Sequence, residues 1–173
     1  AALRMSMVES GTIAKATSVS FRHLALLAQT KLSDAAIWQS LISSSAITEP
    51  TKQLEDRLAR MRYWIESEHF PEEMRIRILS SPDEKALALL DIDEKSALKG
   101  LTTALRNCQW DAESIGSAIP QSAKDNDMSP KSAYRAAYAA LMGLERGPRL
   151  APILAEMDKN TILKQLDSCC QLD

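Results

Sequence analysis

Only five glycines and two histidines occur in the 173 residues, and runs of β-branched side chains are nearly absent. Without apolar–polar alternation the chain has no credible strands, which excludes sheet architectures. His23 and His69 lack the spacing of a metal-binding pair. No glycine-rich dinucleotide motif, phosphate loop or nucleophile elbow is present. The three cysteines, Cys108, Cys169 and Cys170, make an odd set without a Cys-x-x-Cys spacing. They read as small hydrophobes in a reducing compartment, which is expected to be the cytoplasm. No apolar stretch approaches the length that spans a membrane. "AALRMSMVES" lacks the long apolar segment of a signal peptide. Ala1 opens the chain mid-pattern, as a piece of a longer polypeptide would.

What the sequence does hold is helix-forming composition. Hydrophobic residues make up 45% and charged residues 25%, proportions of a folded domain with a real core. The apolar periodicity is close to 3.6 residues almost throughout. Helices are expected over residues 20–29, from Ser33 or Asp34, and from Pro50 to about Glu66. Ser81-Pro82-Asp83-Glu84 resembles a capped helix start, with Ser81 as cap. A further helix opens near Asp93 and ends near Cys108, and Asp111 opens the next. Pro120 should kink or break that one. Ser129-Pro130 repeats the capped start, and Gly143 closes its helix as a left-handed cap. Leu150–Met157 and a final helix capped by Asp158 complete an all-α fold. Residues 1–17 are expected to be a linker or the end of a preceding region, and residues 18–173 the helical domain.

The net charge of −2 argues weakly against a polyanionic partner, but its distribution is uneven. Residues 83–94 carry five acids against one lysine, a net of −4, while residues 131–149 carry a net of +3. The positive stretch contains Lys131, Arg135, Arg146 and Arg149. Two of these arginines flank a Gly147-Pro148 turn that needs no charge for its geometry. They either pair with Glu145, cap the preceding helix's carbonyls, or face a partner. Lys131 and Arg135 share the outer face of their helix, with Tyr134, Tyr138 and Leu141 inward. In the helix after Pro50, Leu54, Leu58, Met61 and Ile65 form an apolar stripe. Beside it Arg57, Arg60 and Trp64 lie in one row. That row either covers the core edge with snorkelling stems or holds phosphates and stacks a base.

Three stretches, in order, resemble one family. "SFRHLALLAQ" (20–29), "LEDRLARMRYWIE" (54–66) and "SPKSAYRAAYAALMGLERGPRLAPILAEMDKNTILKQL" (129–166) are similar to the C-terminal part of class I lysyl-tRNA synthetases. The resemblance implies an α-helical cage that binds the anticodon stem–loop of lysine tRNA. Such a cage follows a catalytic domain in the same polypeptide. The parent enzyme would use ATP to attach lysine to its tRNA, with no cofactor or metal in this portion. The His-Ile-Gly-His and Lys-Met-Ser-Lys-Ser signatures of that chemistry are absent here, so no catalytic residue is expected. On this reading Lys131, Arg135, Arg146, Arg149, Arg57, Arg60 and Trp64 are the candidate tRNA contacts. Residues 72–100 fit the family's pattern poorly and read as an insertion or a divergent helical pair. Two alternatives are the equivalent part of a glutamyl-tRNA synthetase and a free-standing helical protein-interaction module.

Overall fold

The computed structural model describes residues 19–171, so the linker expected over residues 1–17 lies outside the described residues. Among the described residues there are nine α-helices and no strand. They are α1 (Phe21–Thr30), α2 (Asp34–Ser43), α3 (Lys52–Glu66), α4 (Glu84–Ala88), α5 (Ile92–Asn107), α6 (Ala112–Lys124), α7 (Pro130–Met142), α8 (Leu150–Ala155) and α9 (Lys159–Cys170). A single 3₁₀ turn, Glu72–Met74, follows α3.

Short polar side chains set most of the helix starts. Ser20, Ser33, Thr51, Asp111, Ser129 and Asp158 each accept a backbone N–H of the first turn, satisfying a donor that has no partner within the helix. Two starts differ from expectation. α4 is capped by Asp83, not Ser81, because the Asp83 carboxylate takes the N–H groups of both Lys85 and Ala86. α5 is capped by Asp91, two residues before Asp93; the Asp91 side chain accepts the Glu94 N–H while the Glu94 carboxylate accepts the Asp91 N–H. This reciprocal capping box fixes both ends of the motif. α6 is not broken at Pro120. Ile115, Ile119 and Ala123 are all fully buried on either side of it, and their packing carries the helix past the missing N–H.

Two cores organise the helices. Leu24, Leu27, Ile37, Leu41, Leu54 and Leu58 close one between α1, α2 and α3. Leu98, Leu101, Leu105, Ile115, Ile119, Leu141, Leu150, Leu154 and Leu166 form part of the larger one, among α5 to α9. In α7 the alanines 133, 136, 137 and 140 are fully buried, which lets neighbouring helices approach closely. In α9 the buried thiol is Cys169 rather than Cys170; burial, then the neighbouring Cys170, pushes it up to about 11.

The segment over residues 72–83 ties the two cores together. Arg75 donates to the Ile65 and Ser67 carbonyls at the end of α3 and lies 5.2 Å from the Phe70 ring centre. Gln29 of α1 bonds both the Met74 carbonyl and the Ile76 N–H. Further on, the Leu79 N–H bonds the Leu141 carbonyl of α7 at 2.8 Å. The acidic stretch over residues 72–100 holds the expected helical pair, α4 and the first half of α5. A 3₁₀ turn and a joining segment lead into that pair, whose helices are capped by Asp83 and Asp91. Glu156, at the end of α8, makes a second tie. Its carboxylate meets Lys31 at 2.9 Å, Ser40 at 3.0 Å and His23 at 3.9 Å.

Candidate nucleic-acid interface

The turn between α7 and α8 is built around Tyr138. The residue is 8% exposed, and its hydroxyl points at the Gly147 and Pro148 carbonyls, at 3.2 and 2.5 Å. Burial raises its pKa, so the hydroxyl stays protonated and donating. A Cβ at Gly147 would sit 3.1 Å from the Tyr138 ring. Glycine at this position leaves room for the ring's close approach, and no positive φ is involved. Gly143, in contrast, has φ of +67° and terminates α7 in the left-handed region.

On this pinned turn Arg146 and Arg149 are both exposed and bond no described residue. Neither takes Glu145, and neither caps α7. Glu145 goes instead to Arg135, at 3.4 Å. Arg135 is the cation of the stretch that the structure consumes. Its guanidinium bonds Glu94 at 2.9 and 3.2 Å, and the Glu94 side chain is only 7% exposed. Lys131, one turn before it, is exposed and unpaired among the described residues. Lys131 stands in the first turn of α7 and the arginine turn follows its last. At 1.5 Å per residue these positions are about 17 Å apart. The cations therefore form an extended ridge along α7, not one cluster.

The row on α3 also exists. Arg57, Arg60, Met61 and Trp64, with Phe21 of α1, line a shallow open pocket of about 210 Å³. Arg57 donates to the Val19 carbonyl at 3.2 Å. Arg60 is exposed and has no ion pair with a described residue. Trp64 is half-buried between two rings, 5.5 Å from Phe21 and 4.7 Å from Phe70, the latter edge-on. Phe21, the first residue of α1, is 51% exposed. Lys159 of α9 bonds the Cys108 carbonyl and lies over Trp110, so it caps α5 and is not part of the ridge. Among the described residues no group of His, Cys, Asp or Glu side chains could hold a metal ion. No helix among them is long and apolar enough to cross a membrane.

Residues 24–170 match the family model described as an anticodon binding domain. The chain belongs to that family. Similar curated proteins are lysine–tRNA ligases, from Thermoplasma volcanium (27% identity over 87% of this chain) and Pyrococcus horikoshii (28% over 84%). A third, from Methanocaldococcus jannaschii, is 29% identical over 66% of this chain. The matched region spans only 21–29% of these relatives' own lengths. The fold is similar to that of a glutamate tRNA ligase from Elizabethkingia meningosepticum. That match has a TM-score of 0.51 and 16% identity, and covers 87% of this chain and 28% of that one. Such an identity speaks for the helical architecture alone. The matched residues include the 72–100 stretch.

Proposed function

We propose that this chain reads the anticodon stem–loop of lysine tRNA as part of a class I lysine–tRNA ligase. In that enzyme, a catalytic domain of the same polypeptide would use ATP to attach lysine, in the cytoplasm. The observation that carries the reading is the Tyr138-pinned turn. It presents two unpaired guanidiniums, Arg146 and Arg149, on a member of the anticodon-binding family. Readers of RNA loops bond splayed bases and stack them on planar groups, and a turn with little freedom holds such groups at small entropic cost. Lys131 extends the positive ridge toward the stem phosphates. Arg135 supports it from behind by holding Glu145 to itself.

The test is binding of this chain to lysine tRNA and to an unrelated tRNA at two salt concentrations. Tighter binding of lysine tRNA is expected, with affinity falling steeply as salt rises. The isolated anticodon stem–loop should compete. Absence of salt-dependent tRNA binding would instead favour a helical protein-interaction module. Equal preference for a glutamate tRNA would favour the glutamyl alternative, which otherwise rests on likeness of fold.

A further inference from the structure

We infer that the pocket between α1 and α3 seats one unpaired nucleotide of a bound RNA loop, its base against Phe21 and Trp64 and its phosphate at Arg60. The inference rests on the RNA-binding reading above and adds a second, separate contact to it. The Arg146–Arg149 turn does not contribute to this pocket, which is lined by Phe21, Arg57, Arg60, Met61 and Trp64.

Three features argue for a base. The first is exposure. A phenylalanine 51% open to water at the start of a capped helix contributes little to the core, yet it covers one wall of a pocket whose floor is the buried Met61. The second is rigidity. Trp64 is fixed on its far side by the edge of Phe70, which is 3% exposed and itself covered by Arg75. The Phe21 and Trp64 planes meet at 50° rather than lying parallel. In this tilted contact, 5.5 Å between centres, the two rings together present one aromatic wall to the open pocket. The third is charge. Arg57 is anchored to the Val19 carbonyl at the rim, and Arg60 stands one turn from Trp64 with its guanidinium in solvent. An aromatic wall with guanidiniums beside it matches the face and the phosphate of a nucleotide together, and stacking tolerates any base. An apolar protein side chain would use the pocket but not the guanidiniums.

The experiment uses the whole chain and lysine-tRNA anticodon stem–loop RNAs that carry 2-aminopurine at each loop position in turn. In the wild type, one loop position should lose fluorescence on binding, as the base stacks. Phe21→Ala should restore that fluorescence and weaken stem–loop binding about tenfold, with the salt slope unchanged. Arg60→Ala should flatten the salt slope by about one unit. A blunt duplex of the stem should bind wild type and Phe21→Ala alike. Phe21 is an exposed residue, so its truncation leaves the fold intact; circular dichroism checks this, and Trp64→Phe gives a milder second variant. The inference is overturned if wild type binds the stem–loop with no position quenched. It is equally overturned if Phe21→Ala and Arg60→Ala bind like wild type, which would give the pocket to a protein side chain. A wild type that binds no stem–loop at all overturns the RNA reading itself, and this one with it.

Discussion

The Tyr138 ring lies 3.1 Å from where a Cβ on Gly147 would be, and its hydroxyl bonds that residue's carbonyl. One aromatic side chain thereby sets the course of the turn that carries both exposed arginines. Gly147→Ala forces the ring or the turn to move, and should destabilise by about 1–2 kcal/mol. Tyr138→Phe keeps the packing and loses the hydroxyl, at about 1 kcal/mol. Tyr138→Ala should cost about 3 kcal/mol, as large aromatic truncations in cores do. Urea unfolding distinguishes the three. A loss below about 1 kcal/mol for Tyr138→Ala would mean that the ring does not belong to the core.

Arg135 and Glu94 make a second, sharper case. Glu94 caps α5 and is nearly buried, so its carboxylate depends on the guanidinium 41 residues away. Removing one partner of such a pair is worse than removing both, because a buried charge is left uncompensated. Arg135→Ala should therefore lower the melting temperature. Arg135→Ala combined with Glu94→Gln should recover part of the loss. If the double variant melts below the single one, the ion pair is not what holds Glu94 in place.

Much of the architecture was legible in the chain itself. The periodicity set the all-α class, and Ser20, Ser33, Asp111, Ser129 and Asp158 marked helix starts by residue type alone. Ser81 misled because two acceptors stood two residues apart, and the stronger, the Asp83 carboxylate, captured the first N–H groups. Pro120 does not break its helix because local propensity yields to burial on both sides. The candidate site was half legible. Clustered basic residues on a helix and its following turn are visible in sequence. That Arg135 answers to Glu94, and that Phe21 of one helix meets Trp64 of another, depends on contacts between distant segments.

Glu156 gives a pH-dependent prediction. His23 beside it, then Lys31 and Ser40, hold its carboxyl down to about 2 against the opposing effect of burial. A carboxylate with a depressed folded-state pKa stabilises the fold above its unfolded value of 4.5 and loses that contribution as pH falls toward the folded value. The contribution should be roughly 2 kcal/mol, since the side chain keeps some contact with water. The difference in stability between wild type and Glu156→Gln should be largest near neutrality and shrink between about pH 4.5 and pH 2. Because Glu156 joins α8 to α1 and α2, the loss should appear first as loosened contact between the two cores. Amide exchange in α1 and α2 would register that. A difference that stays constant across the range would show that the carboxylate's charge is not what matters.

The last prediction separates the cations of the ridge by role. Lys131 is exposed on the first turn of α7, with no ion pair to a described residue. A contact of that kind holds phosphate and carries no sequence information. Lys131→Ala should weaken lysine tRNA and an unrelated tRNA alike and reduce the salt slope by about one unit. Arg149 follows Pro148, whose backbone is fixed both by its ring and by the Tyr138 hydroxyl on its carbonyl. A guanidinium launched from so constrained a position can present a fork to a base edge. Arg149→Ala should cost roughly 1–3 kcal/mol with lysine tRNA and less with the other, narrowing the preference. Arg149→Lys keeps the charge but not the fork, and so should restore the salt slope without restoring the preference. Tyr138→Phe tests the link to the fold. If the pinned turn is what aims Arg149, loss of the hydroxyl should erode the preference for lysine tRNA while leaving Lys131's contribution to the salt slope untouched. Should Arg149→Ala instead weaken both tRNAs equally, Arg149 holds phosphate, and base reading falls to Arg146 or to the pocket at Phe21.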